Sequence, residues 1–291
     1  HNGSIWMQDE GRNYSGALSK IEAKLAAGAI EGPWKLNGQG TFRGQVLDLS
    51  VSTGVYAANT PLKLFARAIP ADQVIPMIAT EGEWSGTEFK GTLRIDPHDV
   101  PDQKQSAEGD FQPLKLQADL RATIDSIALD KIKINPADTK DSGTLIEGSG
   151  NVELQSPAHA QLALTSPRVN LDTLLGAGSL SKWRDGGVLA VANGIFQAMP
   201  SGLSTDVDVS VNVLTSGGDT LNNVAFKGLV DQQTIRINEA SAALPGRSSA
   251  NFDGVIFPGE GAAELGFGEG IGRAAPEVQA CIRRRTPRRE G

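Results

Sequence analysis

The sequence predicts a mainly β protein: a long, curved antiparallel meander sheet, shaped as a β-groove, with a few short helices. Three observations predict it. Apolar and polar residues alternate with a period of two, turn residues recur at short intervals, and helical spacing is scarce. Across Leu114–Ile124 every even position is apolar and every odd one polar, and across Asp206–Val213 the alternation is equally complete. Side chains of a strand point to opposite faces in turn, so each segment has one apolar and one wet face. Shorter copies occur at Leu47, Leu49 and Val51, at Leu62 and Leu64, at Ile132 and Ile134, at Leu162 and Leu164, and at Ile235 and Ile237. One-sided patterning belongs to antiparallel sheets, whereas parallel α/β sheets show unbroken apolar strands between helices.

Turn chemistry separates the strands at Asn37-Gly38, Arg43-Gly44, Gly217-Gly218-Asp219, Pro245-Gly246 and Asp253-Gly254. Such spacing builds hairpins in which each strand pairs with the next. Ser19 to Ala27 has helical propensity but only a narrow apolar stripe of Ile21 and Leu25, and it reads as strand. Helix is predicted at Ala71–Ala79, broken by Pro76, at Leu171–Leu175 before Gly176, and at Val188–Met199, a plug or cap. About twelve strands at the usual spacing give a sheet on the order of 55 Å along its stacking axis.

Composition narrows the function. Aromatics are 5% of the chain against 34 glycines, a balance that suits a thin sheet core rather than a bulky enzyme core. The net charge of −7 argues against nucleic acid, which demands a basic stripe, and the one arginine cluster lies in the last eighteen residues. Cys281 is the only cysteine, so neither an intramolecular disulfide nor a cysteine zinc site is open to the chain. No stretch approaches the roughly 20 apolar residues of a membrane span.

The chain divides into an N-terminal β segment (1–95), a polar, proline-bearing linker or long loop (96–113), a repeated β-groove segment (114–262) and a disordered basic tail (263–291). Leu114–Leu175 and Asp206–Phe257 read as two loose copies of one unit. No catalytic, cofactor-binding or metal-binding residue is predicted. His98 reads as a solvated loop residue and His159, after Pro157, as a turn residue; the phosphate-loop, His-Glu-x-x-His and Gly-x-Ser-x-Gly patterns are absent. Glycine-rich Gly38 to Gly44 precedes a strand, so it offers phosphate no helix N-terminus.

An apolar sheet face must be covered by something. Hydrocarbon in water costs about 0.8 kcal/mol per methylene, so a trough of aliphatic side chains gives acyl chains a favourable refuge. The residues expected to face lipid are Leu47, Leu49, Val51, Leu116, Leu120, Ile124, Val207, Val209, Val211 and Val213.

Three phrases carry a family resemblance. Residues 31–42 (EGPWKLNGQGTF) look like a Gly-Pro-aromatic strand followed by a G-x-G strand, and residues 166–175 (SPRVNLDTLL) like a strand-to-helix phrase ending Leu-Asp-x-Leu-Leu. Residues 221–228 (LNNVAFKG) with 235–246 (INEA within IRINEASAALPG) resemble a recurring hairpin closed by Pro-Gly. Together they resemble the bacterial AsmA family over most of residues 15–257. That resemblance implies a periplasmic β-groove body tied to the inner membrane through an anchor outside this chain. It also implies phospholipid acyl chains as ligand and a part in outer-membrane biogenesis by lipid transfer. The alternative is a structural or adhesive β-sandwich that binds no lipid. A carbohydrate-active enzyme would need two carboxylates paired across a cleft, and nothing in the sequence pairs them.

Overall fold

The computed structural model describes residues 3–9, 14–42, 44–72, 76–97, 114–137, 145–155, 157–175, 192, 195–196, 199, 202–216, 218–244, 248–257 and 264–266. The first strands are β1 (Gly3–Asp9), β2 (Tyr14–Ala27), β3 (Trp34–Phe42), β4 (Gln45–Thr53), β5 (Leu62–Pro70), β6 (Met77–Trp84), β7 (Phe89–Asp96) and β8 (Leu114–Ala122). They are followed by β9 (Ser126–Pro136), β10 (Ile146–Glu153), β11 (Ala158–Asn170), the short helix α1 (Leu171–Leu175), β12 (Leu203–Ser216), β13 (Asp219–Val230), β14 (Ile235–Leu244), β15 (Ser248–Phe257) and β16 (Glu264–Gly266).

All sixteen strands belong to one sheet, and their spatial order is their sequence order. Fifteen intervals at the usual strand spacing make it roughly 70 Å along the stacking axis. This is the expected mainly β, antiparallel meander with little helix, but longer than the predicted dozen strands. The sheet also runs unbroken from the N-terminal segment into the repeated one, because β7 pairs with β8 from Phe89↔Ala122 to Ile95↔Leu116. Residues 98–113 lie outside the described residues.

One junction departs from the meander. β11 and β12 are parallel, in register from Ala158↔Leu203 to Asn170↔Thr215. A parallel neighbour cannot be reached by a hairpin; the chain must return to the starting rim, which takes a dozen residues or more. The return leaves β11 through α1, whose first turn is capped where Asn170 Oδ1 accepts from the Asp172 amide at 3.0 Å. It ends where the Ala158 amide donates to Gly202 O at 2.9 Å. The crossover falls between the two suggested copies, so that each is four strands, β8–β11 and β12–β15.

Several local expectations change. Ala71 to Ala79 is not helical: Ala71 and Asp72 form a bend and β6 begins at Met77, with residues 73–75 outside the description. Asn37-Gly38 and Asp253-Gly254 are not turns but lie within β3 and β15. Gly44 and Gly218 are true turn positions, with φ of 83° and 86°. The Ser19 to Ala27 segment is strand, part of β2.

Two strands approach closely at a glycine pair. Gly82 on β6 and Gly91 on β7 are direct partners. A Cβ at Gly82 would collide with the Lys90 carbonyl oxygen, and one at Gly91 with that of Glu81. Backbones this close tolerate no side chain, and glycine kinks of this kind are where a sheet acquires curvature.

Candidate functional site

Cross-strand pairing carries one face of the sheet as rows of aliphatic residues and glycines. One row runs Gly38, Leu49, Ala68, Ile78, Ile95, Leu116, Ile134 and Ile146 from β3 to β10. A second crosses twelve strands, from Thr53 through Leu64, Gly82, Gly91, Leu120, Leu129, Gly150, Leu162, Val207, Gly228 and Ile237 to Gly254. Directly paired residues share a face, so these rows are neighbours on one surface. Glycine takes an aliphatic place where backbones crowd, at Gly38, Gly82, Gly91 and Gly228, and Gly254 also lies in a row rather than in a turn.

Nine of the ten residues expected to face lipid fall on this surface. Leu49 and Leu116 share the first row, and Leu120 and Val207 the second. Leu47 and Val51 flank Leu49 on β4; Val209, Val211 and Val213 follow Val207 on β12. Ile124 does not join them. β8 stops at Ala122, and Ile124 lies in the following turn, 74% exposed. There Thr123 turns the chain: its Oγ1 accepts from the Ser126 amide at 3.0 Å. The residues that sequence reasoning missed, Ile127, Leu129 and Phe226 among them, lie on strands whose alternation slips at a bulge.

The surface is shielded only in part. Leu47, Leu49, Val51, Leu116, Leu120, Val207, Val209 and Val213 are half-buried, and Val211 alone among the predicted residues is buried. Each described strand packs against its sequence neighbours, and no second sheet lies opposite among the described residues. Where a cover exists, the chain supplies it. Ala192 and Phe196 are helical and buried, and they cluster with Val230, Ile235 and Ile256. Met199, Val207 and Ile237 pack against the same cluster. The Met199 amide donates to Ile195 O at 2.9 Å, one helical turn back, and Gln232 Nε2 donates to Met199 O at 2.9 Å. Of the expected helix Val188–Met199, Ala192, Ile195 and Phe196 are helical and Met199 is a bend, and the cluster they join lies on the aliphatic face of β12–β15.

The opposite face is polar. Gln39 donates to Asp48 at 2.8 Å and Ser50 to Asn37 at 2.8 Å, each pair directly across a strand junction. Arg121 and Asp130 approach to 2.6 Å, Lys131 and Asp119 to 2.9 Å, and Arg94 and Glu81 to 3.2 Å. Hydrogen bonding to Asp130 first, and its charge second, raise the Arg121 pKa; Asp119 acts likewise on Lys131. Two open depressions of ≈ 620 and ≈ 610 Å³ lie on this face, bordered by such residues as Gln39, Asp48 and Arg67, and Asp130, Asn151 and Asp208. Their charges are solvated and pair across strands, which fixes register rather than building a reactive centre.

His159 is a strand residue on β11, not a turn residue. Its Nδ1 lies 2.9 Å from Ser204 Oγ and its Nε2 3.1 Å from Asp206 Oδ2. Hydroxyl, imidazole and carboxylate in a row are the parts of an acyl-transfer site, but such a site also needs free donors aimed at the developing oxyanion. β11 and β12 are both interior strands whose backbone amides are engaged in the ladder. The trio therefore reads as a clasp across the parallel junction. His98 lies outside the described residues. Among the described residues no group of three or more His, Cys, Asp or Glu could hold a metal, and no helix is long and apolar enough to cross a membrane.

Comparison with protein-family models, curated proteins and solved structures returns no match for this chain.

Proposed function

We propose that the aliphatic face is a trough for hydrocarbon tails and that the protein carries phospholipid between membranes of a bacterial envelope, in the manner of the AsmA family. The observation that supports this most is the continuity of the face. Leu64, Leu120, Leu129, Leu162, Val207 and Ile237 belong to one row across twelve strands, with no opposing sheet among the described residues. An ordinary core would seal such a surface, since every half-buried leucine or valine left facing water forfeits part of about 1.5–3 kcal/mol. Acyl chains complete the burial while their head groups stay in water at the rim. The lining is aliphatic rather than aromatic, which suits a ligand without directional contacts.

In this reading the body works in the periplasm and is held to the inner membrane by a segment outside this chain. Gentle purification followed by native mass spectrometry and organic extraction should recover phospholipid with the protein. A lipid-free chain that also fails to take up phospholipid from vesicles would refute the reading. The sandwich alternative lacks a second sheet among the described residues to support it.

A further inference from the structure

We infer that one rim of the sheet, at the turns that follow β2, β4, β6 and β8, is a docking edge for a zwitterionic lipid surface, entered by Ile30, Val55, Tyr56, Trp84 and Ile124. The inference goes beyond lipid carriage and stands without it, because an edge can rest on a bilayer whether or not the trough takes up tails.

Antiparallel pairing from β2 to β9 puts these turns on the same side of the sheet. They are residues 28–33, 54–61, 85–88 and 123–125, and each carries or adjoins a large exposed apolar side chain. Ile30 is 89% exposed, Val55 62%, Tyr56 55%, Ile124 74% and Trp84, the last residue of β6, 40%. Exposed apolar residues scattered singly are ordinary on any surface. Four consecutive turns of one rim, about 10 Å apart and spanning roughly 29 Å, form a line instead. The line has an end: the turn between β13 and β14, on the same rim, reads Asp231-Gln232-Gln233-Thr234.

Backbone hydrogen bonds hold the tips in place. The Tyr56 amide donates to Glu31 O at 2.7 Å, tying the first two turns together, and the Gly32 amide donates to Ala29 O at 3.1 Å around Ile30. The Ser85 amide donates to Glu88 O at 2.9 Å beside Trp84, and the Thr123 amide to Ser126 O at 2.8 Å around Ile124.

Shape and charge select the occupant. A stable protein partner takes about 800 Å² on each side in one patch, whereas tips in single file leave gaps that a fixed surface would have to match. A fluid bilayer closes around each tip, and Trp and Tyr settle at its head-group level. The four turns hold Glu31, Glu88 and Asp125 but no lysine or arginine. Of the lysines behind them, Lys63 is the direct partner of Glu83 and Lys90 pairs with Glu88 at 2.8 Å. Anionic lipid is drawn by a basic cluster, and this edge has none, so neutral head groups fit it better.

The test uses the full chain and sedimentation with sucrose-loaded vesicles of phosphatidylcholine, alone or mixed with phosphatidylglycerol. The parent chain should bind pure phosphatidylcholine and stay bound when salt is raised to about 0.5 M, which screens surface charge. Ile30→Ser combined with Val55→Ser should lower the partition coefficient about tenfold. Val46→Ser on the opposite rim and Gln233→Ser in the polar turn should leave it unchanged. As a second readout, a Cys281→Ser chain with Ile30→Cys bearing an environment-sensitive dye should shift to blue emission on vesicles, and one labelled through Gln233→Cys should not. No vesicle binding, equal binding by the double variant, or binding that requires phosphatidylglycerol overturns the inference. A blue shift that grows with protein concentration in the absence of vesicles assigns the edge to a second copy, which also overturns it. Phospholipid recovered with a chain that ignores vesicles leaves only the lipid-carrying reading standing; vesicle binding without uptake leaves only the docking edge.

Discussion

Gly82 and Gly91 face each other across β6 and β7, and each is walled by a carbonyl of the other's strand, Lys90 O over Gly82 and Glu81 O over Gly91. Alanine at either position must push two backbones apart in the middle of the sheet. Gly82→Ala and Gly91→Ala should each cost about 1–3 kcal/mol, the usual penalty of overpacking. Gly150 is the internal control: a methyl there would meet Gln161 O at 3.4 Å and Leu162 Cδ1 at 3.5 Å, ordinary contact distances. Urea unfolding of the three variants should show Gly150→Ala near the parent and the other two well below it.

Thr80 Oγ1 is buried on the aliphatic face without a hydrogen-bond partner. An orphaned hydroxyl of this kind carries a desolvation penalty of about 1–3 kcal/mol. Thr80→Val keeps the shape and removes the oxygen, so it should leave stability unchanged or raise it by about 1 kcal/mol. A thermal melt showing clear destabilisation would mean that the hydroxyl has a partner, such as a water.

Leu120→Gln places an amide in the middle of the longest aliphatic row without adding charge. Lipid uptake from vesicles should fall several-fold, on the order of 1 kcal/mol per lost contact. The matching change on the polar face, Lys133→Gln, should leave uptake unaltered. Equal loss in both variants would point to a general effect on folding instead of a face-specific one.

Lys131 gives a pH dependence with a definite sign. Its folded pKa lies above the ordinary value because Asp119 hydrogen-bonds to it and attracts its charge. A raised folded value contributes stability that is complete below the unfolded pKa of about 10.4 and disappears as pH climbs through the folded one. The melting-temperature gap between the parent and Lys131→Met should therefore be constant from about pH 8 to pH 9 and close at higher alkalinity. Because the pair is solvent-exposed, added salt should narrow the gap as well.

The architecture was legible wherever alternation survives. β8 and β12 announce themselves through Leu114–Ala122 and Asp206–Val213, and nine of the ten residues expected to face lipid share one face of the sheet. The period is fainter where a glycine takes the aliphatic place, as Gly148 and Gly150 do in β10. It is also blurred at bulges. On β9, Leu129 and Ile132 lie on one face with two residues between them, and Lys131 takes a φ of 50° to absorb the extra one. Ile124 shows the reverse error: a seemingly perfect period continued two residues past the point where Thr123 turns the chain. The parallel junction had no local signature, because direction is set by how far the crossover travels and not by the strands it joins. The plug was read as helix from its sequence, but its seat on β12–β15 depends on contacts far away in the chain.

That single parallel step reverses the parity of everything after it. In a strict sixteen-strand meander the outermost strands would run in opposite senses; here β1 and β16 run the same way. The crossover thus sets the sense of every strand from β12 onward relative to those before it.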